Sequence, residues 1–119
     1  MSTLELKVGH TYYRLTFADS DMTMPGVEPL VYLGDADPSE GVVPHIFQDT
    51  VSYVRFGSRL DMKGDHDEVA VYFMPPEDIG SGIVDVQEVA AAVSAAAQRA
   101  TALNNPVLPI LRDGWRSVP

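Results

Sequence analysis

Apolar and polar residues alternate at the start of the chain. Leu4, Leu6 and Val8 are separated by polar side chains, a period of two that is typical of a half-buried strand. A second alternating run covers residues 12–17 and is rich in aromatic side chains. Because Gly9-His10 supplies a turn between them, we predict strands at 4–8 and 12–17 that form a hairpin.

Three later segments also favour strands. Residues 30–33 form a short apolar run between Pro29 and Gly34, as expected of a strand buried on both faces. A short strand is predicted at 45–48. A clearer one is predicted at 69–74, where apolar side chains alternate before Pro75-Pro76 ends the run. The intervening segments 18–29, 35–44 and 57–68 are predicted to be loops.

Residues 50–56 fit two structures. Asp49 stands where a helix N-cap would accept from backbone amides, and Gly57 would end a short helix in the left-handed region. The alternation of Val51 and Tyr53 with their neighbours fits a strand instead. We favour the short helix.

The segment 86–103 predicts the longest helix. Asp85 has the position of an N-cap, and Glu88 follows it at capping-box spacing. Alanine, the residue with the highest helix propensity, dominates the segment. Apolar residues recur at three- and four-residue intervals and should face the sheet or a second copy of the helix. This stripe comprises Val86, Val89, Ala90, Val93, Ala97, Ala100 and Leu103.

Together these elements predict an α+β fold. We expect a small, curved, mainly antiparallel sheet of about four or five strands, partly barrel-like, covered by the C-terminal helix. A length of 119 residues allows one domain, which we place at 1–111, with a tail at 112–119. The apolar segment 107–111 should pack along the body as an extended strand.

The formal net charge of −9 changes the expected partners. Phosphate backbones and anionic lipid heads would be repelled, which disfavours nucleic acid and membrane surfaces. A basic protein partner would be attracted. The plainer interpretation is that the excess charge keeps a small protein in solution.

The sequence lacks the residues that several kinds of functional site require. The chain has no cysteine, which excludes disulfides and thiolate nucleophiles. His10, His45 and His66 have no metal-ligand spacing, and no glycine-rich phosphate motif is present. We therefore predict no cofactor. With no apolar leader segment in the sequence, the expected location is the cytoplasm.

Paired aspartates in the predicted loops are the weak candidates for a metal site. Calcium prefers several oxygen ligands from flexible loops, although none of these pairs fits a twelve-residue calcium loop. Aspartate is also frequent in turns, where it bonds to the backbone, and we favour that interpretation. The candidates are Asp19, Asp21, Asp35 and Asp37.

Two features favour a protein partner. The run 61–68 is the most charged part of the chain, and Trp115 lies between two arginines, a combination enriched at interface hot spots. Their plainer interpretations are a solvated loop and a tail that packs on its own domain. The predicted partner-binding residues are Asp61, Asp65, Asp67, Glu68 and Trp115.

These observations rank three functions. The first is a non-enzymatic protein-binding module, either of inhibitor or immunity type or a subunit of a homo-oligomer. The second is a small hydrolase or isomerase that uses carboxylates and tyrosines in a pocket under the helix. The third is a binder of a small ligand or a calcium-type ion. Ser81 lacks the flanking pattern of a nucleophile elbow, so no catalytic residue is predicted.

Overall fold

A computed structural model describes residues 4–37 and 43–104. An open five-stranded antiparallel sheet, in the order β4-β3-β2-β1-β5, carries two helices and confirms the predicted α+β fold. The sheet is not closed into a barrel. Trp115 and the segments 107–111 and 112–119 lie outside the described residues. The strands are β1 Thr11–Phe17, β2 Pro25–Asp35, β3 His45–Asp49, β4 Val71–Met74 and β5 Ile83–Val84, and the helices are α1 Thr50–Phe56 and α2 Val86–Ala102.

The predicted N-terminal hairpin is wrong, because residues 4–8 form no strand. Leu4 and Leu6 instead pack against the core beside Tyr12. The Tyr12 hydroxyl accepts from the Lys7 amide at 2.7 Å and donates to the Glu5 carbonyl at 3.1 Å. A side chain, rather than a neighbouring strand, therefore holds this segment in place.

The predicted loop 18–29 is too long, because β2 begins at Pro25. Pro25 and Pro29 have no amide hydrogen, which argues against a ladder position. Both lie on the part of β2 that β3 does not reach, since β3 pairs only with Leu30 and the residues after it. The missing donors point toward this unpaired side, so the ladder with β1 remains intact.

The sheet is packed on both faces. On the front face, the Tyr32 and Phe47 rings lie 5.3 Å apart at the centre of an aliphatic and aromatic core. On the back face, α1 packs beside β2 and β3, and α2 packs beside β1 and β2. The buried front-face residues are Tyr12, Leu30, Tyr32, Phe47, Met74 and Ile83, and those of the back-face cluster are Val31, Leu33 and Ile46.

The short helix α1 is confirmed, with Asp49 as N-cap and Gly57 as C-cap at φ 86°. It is fixed by a buried polar network. The fully buried Gln48 donates to the Ser52 hydroxyl at 3.0 Å and to the Gly57 carbonyl at 3.1 Å. The side-chain oxygen of Gln48, Oε1, accepts from the Arg59 backbone amide at 2.8 Å. Every polar group of this side chain therefore ties β3 to the chain that follows α1.

Helix α2 forms as predicted from Asp85, whose carboxylate accepts from the Glu88 amide at 2.9 Å. The predicted apolar stripe is largely wrong: of its seven residues only Ala100 is buried and Val89 is half-buried, whereas the other five are exposed, with Val86 at 61%, Leu103 at 50% and Val93 at 43%. The buried residues are Ala96 and Ala100.

Two observations explain the observed rotation of α2. An alanine run allows several rotations of the helix with similar burial, so its sequence does not select one. In the observed rotation Arg99 contacts the region around the β1–β2 turn: its guanidinium lies 5.7 Å from the centre of the Phe17 ring, and its Nε donates to the Met22 carbonyl at 2.9 Å.

The two helix caps give a prediction about stability. Asp49 accepts from the Ser52 amide and hydroxyl and from the Ala70 amide, whereas Asp85 accepts only from one amide. We expect Asp49→Ala to lower the free energy of unfolding by about 2–3 kcal/mol. The matched variant Asp85→Ala should cost about 1 kcal/mol. Urea denaturation at neutral pH measures both.

The cost of removing the Asp49 side chain should depend on pH. Burial acts to raise the Asp49 pKa, but the hydrogen bonds from Ser52 and Ala70 outweigh it and hold the pKa below its ordinary value. The stabilisation is therefore complete above the ordinary pKa of about 4 and is lost as the pH falls through the lowered value. The difference between wild type and Asp49→Ala should shrink in acid. Equal costs for the two cap variants would contradict this account of α1.

Candidate functional site

The predicted acidic residues lie together in one loop at the β4 end of the sheet. We call residues 61–68 the acidic loop; it connects a 3-10 turn, Arg59–Asp61, to the segment before β4. Its carboxylates are exposed, and among the described residues none of them forms a salt bridge or a side-chain hydrogen bond. They are free to meet a cation from outside. These residues are Asp61, Asp65, Asp67 and Glu68.

The backbone of the acidic loop is held by two side chains. Arg59 donates to the Met62 carbonyl at 3.2 Å and to the Gly64 carbonyl at 2.6 Å. His66 donates from Nε2 to the Lys63 carbonyl at 2.9 Å. The Arg59 guanidinium is therefore used to shape the backbone of the loop, and within the loop four carboxylates outnumber the one lysine, Lys63.

An apolar groove of about 370 Å³ lies on the back face of the sheet beside the acidic loop. Two of its apolar side chains are open to solvent: Phe73 is 61% exposed and Leu60 is 58% exposed. Among the described strands β4 is the last on this side of the sheet, so the groove follows an edge at which no described strand pairs; we call this the free edge. The lining residues are Ile46, Arg59, Leu60, Met62, Val71 and Phe73.

Sequence reasoning predicted the acidic loop but missed the groove and the edge. Val71 and Phe73 were expected to lie on one face of a strand, and they do. Their position at the edge of the sheet depends on strand order, which alternation along one strand does not contain. The Leu60 side chain reaches the groove only because a 3-10 turn forms within a segment that was predicted to be a loop.

The paired aspartates do not converge. Asp19 and Asp21 lie in the β1–β2 turn, whereas Asp35 and Asp37 lie at the far end of β2, about 33 Å away for a strand of 11 residues. Within residues 4–37 and 43–104, no three acidic or histidine side chains are grouped to hold a metal ion.

Asp19 acts instead in the turn. Its carboxylate accepts from the Thr23 hydroxyl at 2.6 Å, from the Thr23 amide at 3.0 Å and from the Met24 amide at 2.9 Å. These hydrogen bonds, led by that of the Thr23 hydroxyl, hold the pKa of Asp19 below its ordinary value. This is the backbone-bonding role that aspartate commonly has in turns.

Asp35 belongs to a cluster that sequence reasoning missed. One of its carboxylate oxygens, Oδ1, accepts from both the Tyr32 hydroxyl and Nδ1 of His45, the latter at 2.5 Å. The bulge between Tyr32 and Gly34 sets Asp35 opposite His45 across the β2–β3 pair. The loop between these strands is too long for its sequence to fix their register, so nothing in the pattern pointed to this pair.

Hydrogen bonds and burial shift the pKa values of Asp35 and Tyr32 in opposite directions. The hydrogen bond from Tyr32, followed by the contacts from His45, holds the pKa of the Asp35 carboxyl below its ordinary value despite partial burial. Burial, together with the hydrogen bond and charge of Asp35, raises the pKa of the Tyr32 phenol. Because a carboxylate can only accept, Nδ1 of His45 is the donor in its contact with Asp35.

A second cleft, of about 430 Å³, lies between the N-terminal segment and the start of α2. It contains carboxylates and a tyrosine, as the enzyme alternative requires, but the Tyr12 hydroxyl is occupied by the backbone of Lys7 and Glu5. Within the described ranges, no hydrogen bond joins two ionisable side chains of this cleft. Its polar lining residues are Glu5, Lys7, His10, Tyr12, Asp85 and Glu88.

Neither cleft is lined by Tyr32, Asp35 or His45. The cluster of Tyr32, Asp35 and His45 is thus separate from both clefts. Its evident role is to join the ends of β2 and β3 beyond the bulge. The combination most suited to binding is the acidic loop with the apolar groove.

The Asp35 cluster gives a prediction about titration. Tyr32→Phe removes the hydroxyl donor, so the pKa of the Asp35 carboxyl should rise toward its ordinary value. Stabilisation by ionised Asp35, present at neutral pH and lost as the pH falls through its lowered pKa, should then be lost at a higher pH. NMR titration of the carboxyl carbon measures the shift. Tyr13→Phe is the control; an unchanged Asp35 pKa in Tyr32→Phe would contradict the assignment.

Comparisons with known proteins return nothing for this chain: no family model, curated protein or solved structure matches it. A function for this chain therefore has to be inferred from its own geometry, namely the acidic loop, the apolar groove and the free edge of β4.

Proposed function

We propose that this chain is a protein-binding module that docks a basic partner on the surface formed by the acidic loop and the apolar groove. The observation that carries the proposal is that exposed apolar side chains of the groove lie beside the exposed carboxylates of the acidic loop. Phe73 and Leu60 are more than half exposed, and the acidic loop joins directly to the segment that ends in β4.

The apolar part would supply most of the binding energy. Aromatic side chains at the centre of an interface are frequent hot spots, and Phe73 lines the groove together with apolar side chains such as Leu60 and Val71. When a partner covers it, the exposed ring surface is removed from water. Such burial is favourable by about 25 cal/mol per Å² of apolar surface.

The charged part would supply selectivity and speed of association. The net charge of −9 steers a basic partner toward the molecule, and the free carboxylates select its orientation at the groove. An inhibitor or immunity-type protein for a basic target would use a surface of this kind. The plainer role for an acidic loop beside a sheet edge is to prevent edge-to-edge aggregation.

A selection experiment with matched charge variants separates these roles. Random peptides displayed on phage are selected on the wild-type protein and then measured individually by titration. We expect the enriched peptides to combine lysine or arginine with apolar residues. Asp65→Asn/Asp67→Asn should weaken their binding by about 2- to 30-fold, because exposed ion pairs contribute about 0.2–1 kcal/mol each.

The control is Asp21→Asn/Glu88→Gln, which removes the same net charge at exposed positions outside the acidic loop. We expect it to change the affinity by less than about 2-fold at moderate salt, where distant charges are screened. Phe73→Ala should weaken the same peptides by at least about 30-fold, as for an interface hot spot. Enrichment of peptides without basic residues, or equal losses in the two double variants, would overturn the proposal.

A further inference from the structure

The hydrogen-bond pattern of β3 and β4 shows which backbone groups of the edge are unpaired. The Asp49 amide donates to the Ala70 carbonyl at 3.1 Å. In an antiparallel ladder, hydrogen-bonded positions alternate, so Tyr72 and Met74 also face β3. The amides and carbonyls of Val71 and Phe73 therefore point away from the sheet, toward the side on which no described strand lies.

The opposite edge of the sheet is closed by its own chain. β5 has two residues, and the turn before it folds back so that the Gly80 amide donates to the Ile83 carbonyl at 2.7 Å. A bridge pairs Ile79 with Ile83 on this side. Of the two outer strands of the described sheet, only β4 presents two outward-facing residues, Val71 and Phe73, with unpaired amides and carbonyls beside an apolar surface.

The length of the free edge is set by its flanks. Before β4, the Val69 amide is used within the loop, donating to the His66 carbonyl at 3.2 Å. After β4, Pro75 and Pro76 have no amide hydrogen to offer. The open window thus runs from Val71 to Phe73 and matches a short extended segment.

The side chains of this window continue the same site. Val71 and Phe73 line the groove on the back face, so a strand added beside them would place every second side chain over the groove. The acidic loop precedes β4, with Asp67 and Glu68 only a few residues from Val71. A basic residue near the end of the added segment that lies beside the loop would meet these carboxylates.

We propose that the partner binds as an extended segment that adds to the edge of β4 as a sixth strand. This inference rests on the protein-binding function proposed above. The segment carries apolar residues at alternate positions for the groove and a lysine or arginine for the acidic loop. Backbone hydrogen bonds to Val71 and Phe73 hold its register.

Charge and proline content favour another protein as the source of this segment. A second copy of the chain would bring a further net charge of −9 to the same place. The chain's own residues 105–119 include Pro106 and Pro109, which are three positions apart, so a strand that spans both would direct the missing amide hydrogen of one of them toward β4. A basic extended segment of another protein has neither disadvantage.

N-methylation of a bound peptide tests the mode of binding. The tightest phage-selected peptide is synthesised in two series, methylated at the even or at the odd backbone amides. In an added strand, only alternate amides face β4. One series should therefore lose on the order of 10-fold or more in affinity, since each lost hydrogen bond costs about 0.5–1.5 kcal/mol and the methyl group blocks close approach. The other series should stay within about 3-fold.

The outcomes distinguish this inference from the proposed function. Equal losses in both series, with binding still weakened by Asp65→Asn/Asp67→Asn, would overturn strand addition and leave the basic-partner surface standing. Selected peptides that ignore the acidic loop variants would overturn both. Displacement of the peptide by added wild-type protein, with dimers detected by ultracentrifugation, would show that a second copy occupies the edge and would also overturn the inference.

Discussion

Every open antiparallel sheet leaves alternate backbone amides and carbonyls unpaired along its two outer strands, and this chain treats its two edges differently. At β5 the unpaired groups meet a turn of the same chain. At β4 the groups of Val71 and Phe73 meet no described segment. A polar backbone beside an exposed apolar groove is a surface that another chain can complete, and the account of function follows from it.

The edge depends on the packing behind it. The buried amide of Gln48 and the carboxylate of Asp49 fix α1 on β3 and hold the Arg59 and Ala70 amides on the two sides of the acidic loop. Because these bonds begin and end the segment that carries the loop, its carboxylates and Leu60 are positioned by the core itself. The front-face aromatic cluster supports β3 from the other side. The proposed binding surface is thus built on the most buried part of the sheet.

The sequence predicts those features that depend on local patterns. The caps at Asp49 and Asp85, the α+β class and the grouping of acidic residues in one loop all follow from neighbouring residues. The rotation of α2 does not, because an alanine run has little contrast between faces; in the observed rotation Arg99 contacts the Met22 carbonyl, which is distant in sequence. The start of β2 at Pro25 is not predicted, because Pro25 and Pro29 are typical of a loop. Both fit the strand because the side that lacks an amide hydrogen faces no described partner strand. The edge position of β4 depends on strand order, and the Asp35–His45 contact depends on register. The alternation of apolar and polar residues along a single strand determines neither.

Amide hydrogen exchange in the protein alone tests the central claim most directly. Val71 and Phe73 should exchange rapidly, at rates that do not change with protein concentration, whereas the Tyr72 amide between them should be strongly protected by its bond within the ladder. Strong protection of Val71 and Phe73 in dilute protein would show that the edge is already occupied by the chain itself. That result would contradict the claim that the edge of β4 is unpaired and can bind a strand from another protein.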